Sequence, residues 1–351
     1  MAIIRPSFDS KRQNLRDIIP LPAPFHIGIE PTRYCNLRCF FCQHSTRGCP
    51  DDRFVKKGQA LQHMEYSLFQ KAASDIMAFP VQPKKIQLVG MGEPILNPEL
   101  GNMVRYLRKI GFEGRILTYT NGVGLTPDTV DDLMNSGLTS LQVSVYGMTA
   151  EDFQNLAGTE VEMGRYLENL RYLYDHRNGV QIRLKTTDDV ADSEEKKARF
   201  YELFHGLCDQ IFIEHIINIP NQMGNQPVKM RNVTQYSEGL SSSREICPWM
   251  FYQMHVNSDG DVFFCDILAK PKRYAIGNIR KNSLLDIWNS RKRTELLCRA
   301  LREGQDAVEE CVDCDDRNSM TAPEEYLDDC RELLLQKLTA CVPSPVTGRN
   351  C

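Results

Sequence analysis

The amino-acid sequence predicts an α/β fold: a parallel sheet with crossover helices, followed by a smaller α+β module. Three observations predict it. Six short β-branched runs, at 26–30, 85–89, 115–120, 140–145, 180–185 and 210–215, alternate with amphipathic stretches at 66–77, 98–109, 127–135, 150–156 with 161–174, and 193–207. That alternation is the mark of βαβ units and a parallel sheet. A second, shorter pattern follows at 252–256 and 262–264, two alternating strands joined by Asn257-Ser258-Asp259-Gly260, a strong hairpin signal. A change of character separates the two, since residues 216–245 lack periodicity. Connections of that length are functional or mobile.

The chain divides on these grounds into a polar N-terminal tail (1–23), a first domain (24–216), a linker and possible lid (217–245), a second domain (246–330) and a C-terminal tail (331–351). Its 351 residues suffice for two domains. Hydrophobic content of 42% and charged content of 25% are ordinary for a globular protein. Lys and Arg number 42 against 46 Asp and Glu, so no basic excess marks a nucleic-acid surface. Residues 1–19 carry Arg5, Lys11, Arg12 and Arg16 and no apolar segment, which argues against a signal peptide or membrane span and for the cytoplasm. In that reducing compartment, 13 cysteines are read as ligands rather than cross-links.

In chain order, the first strand ends in Glu30-Pro-Thr-Arg-Tyr-Cys35-Asn-Leu-Arg-Cys39-Phe-Phe41-Cys42, a C-x3-C-x2-C loop. Three thiolates from one tight loop form a soft ligand set with one position left open. Zinc completed by His44 or Cys49 is the structural alternative. Parallel sheets carry their sites on the loops after the carboxyl ends of the strands. Gly90-Met-Gly92-Glu93-Pro94 follows the second strand, Asn121-Gly122 the third, Ser144 ends the fourth, and Arg183 and Lys185 end the fifth. Cys247 and Cys265 flank the hairpin, and Cys311-Val-Asp-Cys314 follows a helix expected at 283–298. Together they make a four-cysteine site, for which zinc is again the chemical alternative.

The C-x3-C-x2-C loop with Phe41 before its third cysteine resembles the signature of the radical S-adenosylmethionine superfamily. The four later cysteines, with Cys265 set in a Cys-x12-Gly-x4-Cys run, resemble the SPASM module and its shortened twitch form, as in the 2-deoxy-scyllo-inosamine dehydrogenases. The resemblance implies a partial (β/α)6 TIM-like barrel with a C-terminal twitch/SPASM module. It implies a 4Fe-4S cluster on Cys35, Cys39 and Cys42, an auxiliary 4Fe-4S cluster on Cys247, Cys265, Cys311 and Cys314, and S-adenosylmethionine beside Phe41, Gly90, Gly92, Glu93, Asn121, Ser144 and Arg183. Asp266 matches a carboxylate that serves as base in SPASM members. The full SPASM pattern has a further cysteine where this chain has Met320, so a second auxiliary cluster would need Cys330, Cys341 and Cys351.

The expected activity is hydrogen abstraction by a 5′-deoxyadenosyl radical from a small hydroxylated substrate, a sugar, nucleoside or aminocyclitol, ending in oxidation. A flavodoxin or ferredoxin would supply the electron. The expected partners include no nucleic acid and no membrane. Redox-neutral epimerisation or dehydration, peptide modification, and a zinc- or cluster-binding protein without catalysis are the alternatives.

Overall fold

A computed structural model describes residues 2–6, 12–217, 234–236, 244–265, 270–312, 314–319 and 322–340. All six expected strands form, as β2 (His26–Ile29), β3 (Lys85–Leu88), β4 (Arg115–Thr120), β5 (Ser140–Ser144), β6 (Gln181–Thr187) and β7 (Gln210–Glu214). They pair in parallel, each with its neighbour in sequence. The helices between them start where the sequence places caps. Thr126 and Thr149 each accept from the amide three residues on and close a capping box, which satisfies donors that a helix start leaves orphaned.

The sheet is larger than the six strands. β1 (Ile3–Ile4) pairs in parallel with β7, and β8 (Gln253–Val256) pairs in parallel with β2, followed by antiparallel β9 (Asp261–Phe263) and β10 (Gly277–Asn278). The order β1-β7-β6-β5-β4-β3-β2-β8-β9-β10 ends on two strands that do not pair, so the barrel is partial. The hairpin of the second domain extends the barrel sheet, with Gln253 opposite His26 and the His26 Nδ1–H donating to Gln253 Oε1 at 3.0 Å.

Two expected tails are structural. Residues 12–23, read as polar surface chain, bury Leu15, Ile19 and Leu21 in the main core, because apolar residues at this spacing find a partner surface on the second domain. Trp288 Nε1–H donates to the Leu21 carbonyl at 3.0 Å, and Lys337 Nζ to that of Arg16 at 2.8 Å. From the C-terminal tail, the helix Arg331–Ala340 buries Leu334 and Leu338, while 341–351 lie outside the described residues. The helix expected at 283–298 is two, Leu284–Trp288 and Arg291–Glu303, because Ser290 caps the second by accepting from the Arg293 amide. The linker 217–245 lies mostly outside the described residues; Ile217, 234–236, Arg244 and Glu245 are described. Among the described residues, no helix is long and apolar enough to cross a membrane.

A buried ion pair fastens the parts that meet at the top of β2. Glu30 and Arg33 are 2% and 1% exposed, with Arg33 Nε 2.8 Å from Glu30 Oε1. Ser258 of the β8–β9 turn donates to the same oxygen through its amide (3.1 Å) and hydroxyl (2.7 Å), and the Met91 amide donates to Oε2 at 3.2 Å. Arg33 also reaches Asp259 of that turn at 2.7 Å. Arg33→Met leaves the Glu30 charge buried and unpaired, and is expected to lower the unfolding free energy in urea by about 3–5 kcal/mol. Adding Glu30→Gln removes that charge and should recover part of the loss; no recovery would contradict the ion-pair account.

Candidate functional site

The cysteine loop leaves β2 and is held at both ends. The Arg38 and Phe40 amides donate to the carbonyls of Ala157 and Leu156, at 2.7 and 3.0 Å, which anchors the loop on the end of the helix Ala150–Ala157. Arg47 NH1 donates to the Cys35 carbonyl at 2.6 Å. Cys35, Cys39 and Cys42 line one cavity of about 990 Å³, together with Phe41, Gly90, Gly92, Glu93, Asn121 and Ser144. These nine of the expected site residues thus converge. Arg183 does not join them: its guanidinium donates to Gln181 Oε1 at 2.8 and 3.1 Å, and Lys185, two residues on, lines the cavity instead. Cys49 is exposed and does not line it.

The glycines of the 90–93 loop are required by its contact with the cysteine loop. A Cβ on Gly90 would stand 2.2 Å from Glu30 Cγ, and one on Gly92 2.4 Å from the Thr32 carbonyl oxygen and 2.5 Å from that of Tyr34. The Gly92 and Glu93 amides donate to those two carbonyls at 3.1 and 2.7 Å. His44 completes the joint. Its Nδ1 accepts from Arg47 (3.3 Å), so Nε2–H donates to the Met91 carbonyl at 2.9 Å, and burial pushes its pKa down to about 4, which keeps the ring neutral.

Glu93 is 3% exposed, and burial pushes its pKa up to about 7, against the pull of hydrogen bonds from the Asn121 amide, the Thr120 side chain and the Ile95 amide. The Asn121 amide donates to Oε2 at 2.7 Å, and the Asn121 side chain donates to Asn36 Oδ1 at 2.7 Å. A carboxylate this deep is short of a cation, and an ammonium beside it would restore its charge. Tyr146 was not foreseen: its ring packs on Phe41 at 5.6 Å between centroids and lines the same cavity. Its signal was only its place two residues beyond Ser144.

The three thiols fit a bound iron–sulfur group by their chemistry. Burial pushes Cys35 up to about 12, and Cys39 and Cys42 are raised first by burial; Cys39 also feels the other two. Thiolates so disfavoured need a metal cation to form. The second set behaves alike. Cys247, Cys265, Cys311 and Cys314 are all buried, and Cys247 is raised well above its usual range by burial and then by Asp316, Cys311, Cys314 and Cys265. Cys314 is pushed up to about 12 by burial and then by Asp316. Among the described residues, no three or more His, Cys, Asp or Glu side chains are grouped as a single ion would need. Cys330 is buried, its thiol donating to the Leu327 carbonyl, and Asp329, Arg16 and Lys337 rather than another cysteine act on it. Asp266, Met320, Cys341 and Cys351 lie outside the described residues.

The cavity continues down the barrel, where Gln87, Tyr119, Gln142, Lys185 and Glu214 point inward, and reaches Trp249, Tyr252 and Asp316 of the second domain. Tyr252, which precedes the hairpin, lines it, whereas His255 is buried in β8 away from it. A barrel interior is ordinarily filled by branched apolar layers. This one is lined by amides, charges and phenols, and its volume is at the top of the roughly 300–1,000 Å³ range of ligand pockets.

Residues 29–187 match the family model of the radical SAM superfamily, and residues 247–315 that of SPASM, an iron-sulfur cluster-binding domain. A dTDP-4-amino-4,6-dideoxy-D-glucose ammonia-lyase of Streptomyces venezuelae is 29% identical over 149 residues, 42% of this chain and 28% of that protein, so the chain aligns with less than a third of that relative. Streptococcus suis SuiB bound to S-adenosylmethionine superposes with a TM-score of 0.60 at 14% identity, over 90% of this chain and 79% of that one. BtrN in complex with AdoMet and 2-DOIA does so with a TM-score of 0.51 at 19% identity, over 83% and 92%. These likenesses agree in fold with the partial barrel and its appended module. With both family models matched, residues 29–187 form a radical SAM domain, which gives the chain a 4Fe-4S cluster and S-adenosylmethionine, and residues 247–315 form a C-terminal SPASM domain for auxiliary iron–sulfur binding.

Proposed function

We propose that this radical SAM enzyme takes a hydrogen atom from an unactivated C–H bond of a small hydroxylated substrate, a sugar, nucleoside or aminocyclitol, and oxidises it. The observation that carries this reading is that one cavity is bordered by Cys35, Cys39 and Cys42 and also by Asp316, whose charge acts on Cys247 and Cys314. A substrate held there by Gln87, Tyr119, Gln142 or Lys185 lies between a source of radicals and an electron acceptor. When bound, the first cluster and S-adenosylmethionine supply the 5′-deoxyadenosyl radical, and the auxiliary cluster accepts one electron. Cys35, Cys39 and Cys42 hold the first, and Cys247, Cys265, Cys311 and Cys314 the second. Glu93 takes the methionine ammonium, with Asn121, Ser144 and Phe41 around the rest. An external one-electron carrier, a flavodoxin or ferredoxin, provides the reductant. The similarity to an ammonia-lyase favours redox-neutral elimination as the second reading.

Three outcomes follow. Alanine at Cys35, Cys39 or Cys42 should abolish 5′-deoxyadenosine formation and lower bound iron from about eight to about four per chain; near wild-type cleavage of S-adenosylmethionine would be fatal to the ligand assignment. Glu93→Gln should weaken S-adenosylmethionine binding by about 1.5–3 kcal/mol in calorimetry. Only the carboxylate pairs with an ammonium, so wild-type affinity should fall as pH drops through about 7, where Glu93 gains its proton, and the variant should show no such dependence. The Cys311→Ala/Cys314→Ala protein should still form 5′-deoxyadenosine with substrate while oxidised product falls sharply by mass spectrometry. A full product yield would exclude the electron-acceptor role and favour elimination.

A further inference from the structure

We infer that His215, held by Asp188, is the catalytic base that takes the hydroxyl proton of the substrate as it is oxidised; this rests on the dehydrogenation reading above. His215 directly follows β7 and Asp188 directly follows β6, so both stand at the carboxyl edge of neighbouring strands, where barrels of this kind place their chemistry. His215 lines the cavity and is 9% exposed. Its Nδ1 is 2.9 Å from Asp188 Oδ2, and since a carboxylate only accepts, Nδ1 carries the hydrogen, so that the neutral ring holds its lone pair on Nε2. Asp188 is itself fixed, accepting from the Ile216 amide at 3.2 Å and donating its own amide to the Glu214 carbonyl at 2.9 Å. The His215 amide donates to the Gln235 carbonyl at 2.9 Å. The base, its orienting carboxylate and the backbone beneath both are therefore set before substrate arrives.

The neighbouring titratable groups suit the role less well. Glu214 Oε2 is engaged by Lys185 Nζ at 2.5 Å and by Gln235 Nε2 at 3.3 Å, and Tyr119 accepts from Gln87 at 2.5 Å. Burial raises the Tyr252 phenol well above its usual range, so it gives up its proton reluctantly. The step balances. The substrate C–H bond breaks and its hydrogen atom forms the new C–H bond of 5′-deoxyadenosine. The O–H bond then breaks, its proton passing to Nε2 of His215, and a C=O bond is left; the one electron released would be taken by the auxiliary iron–sulfur cluster that Cys247, Cys265, Cys311 and Cys314 would hold.

The test uses reconstituted full-length wild type, His215→Ala and Asp188→Asn, with carbon-deuterated 2-DOIA and dTDP-4-amino-4,6-dideoxy-D-glucose as probes. His215→Ala should transfer deuterium to 5′-deoxyadenosine at the wild-type level, lose carbonyl product by about 100-fold or more, and regain part of it with added imidazole. Asp188→Asn should show the same split without rescue. Independently of turnover, ¹⁵N-edited NMR of histidine-labelled protein should find the Nδ1–H tautomer at His215 in the wild type and its loss in Asp188→Asn. Wild-type carbonyl yield in His215→Ala, equal falls of deuterium transfer and product, or an Nε2–H tautomer in the wild type would each overturn the inference. No deuterium transfer from either probe by the wild type would overturn the substrate reading itself, and the inference with it.

Discussion

The structure depends on one charge held out of water. Glu30 ends the first barrel strand, and its two oxygens take donors from three separate pieces of chain: Arg33 of the cysteine loop, Met91 of the glycine loop and Ser258 of the second-domain hairpin. Burying a carboxylate costs several kcal/mol unless it is paired and fully hydrogen-bonded. The cost makes the geometry specific, because any displacement of the three pieces leaves that charge exposed to a low-dielectric interior. Arg33 transmits the same constraint to Asp259, so the loop that bears Cys35, Cys39 and Cys42 is indexed against the module that bears the other four cysteines.

The continuity of the sheet gives that indexing its stiffness. β8 lies in register beside β2, and hydrogen bonds across a sheet leave little freedom for one domain to rock on the other. Trp288 of the second domain and Lys337 of the C-terminal helix hold the N-terminal segment in place. The barrel that bears the first cysteine set and the hairpin flanked by Cys247 and Cys265 are held in one continuous sheet.

The cavity lies within this frame and carries polar side chains among its apolar ones. Polar side chains at its wall are held by partners: Lys185 by Glu214, Tyr119 by Gln87, His215 by Asp188. Pre-satisfied groups lose less on binding than groups that must be reoriented, and they present a substrate with fixed donors and acceptors. The cysteines that line it are the opposite case. Their burial disfavours the thiolate, so the metal must supply the charge, which couples assembly of the site to loading it.

By itself the sequence determined the six parallel strands and the loops that follow them, and it singled out Cys35, Cys39, Cys42, Glu93, Asn121 and Ser144, which line one cavity. Strand periodicity and ligand spacing are local properties, and local properties are written in neighbouring residues. It misread residues 12–23 and 331–340 as tails and joined two helices across Ser290, because burial of Leu15, Leu21 and Leu334 depends on surfaces hundreds of residues away. Only the tertiary structure decided that Gly90 and Gly92 are glycines for the sake of the cysteine loop, that Lys185 rather than Arg183 lines the cavity, and that Asp188 meets His215. Those facts rest on which side chains face inward where β6 and β7 lie side by side, and on how closely two loops approach. Distances between residues far apart in the chain are set by packing, and a pattern of residue types carries no record of them.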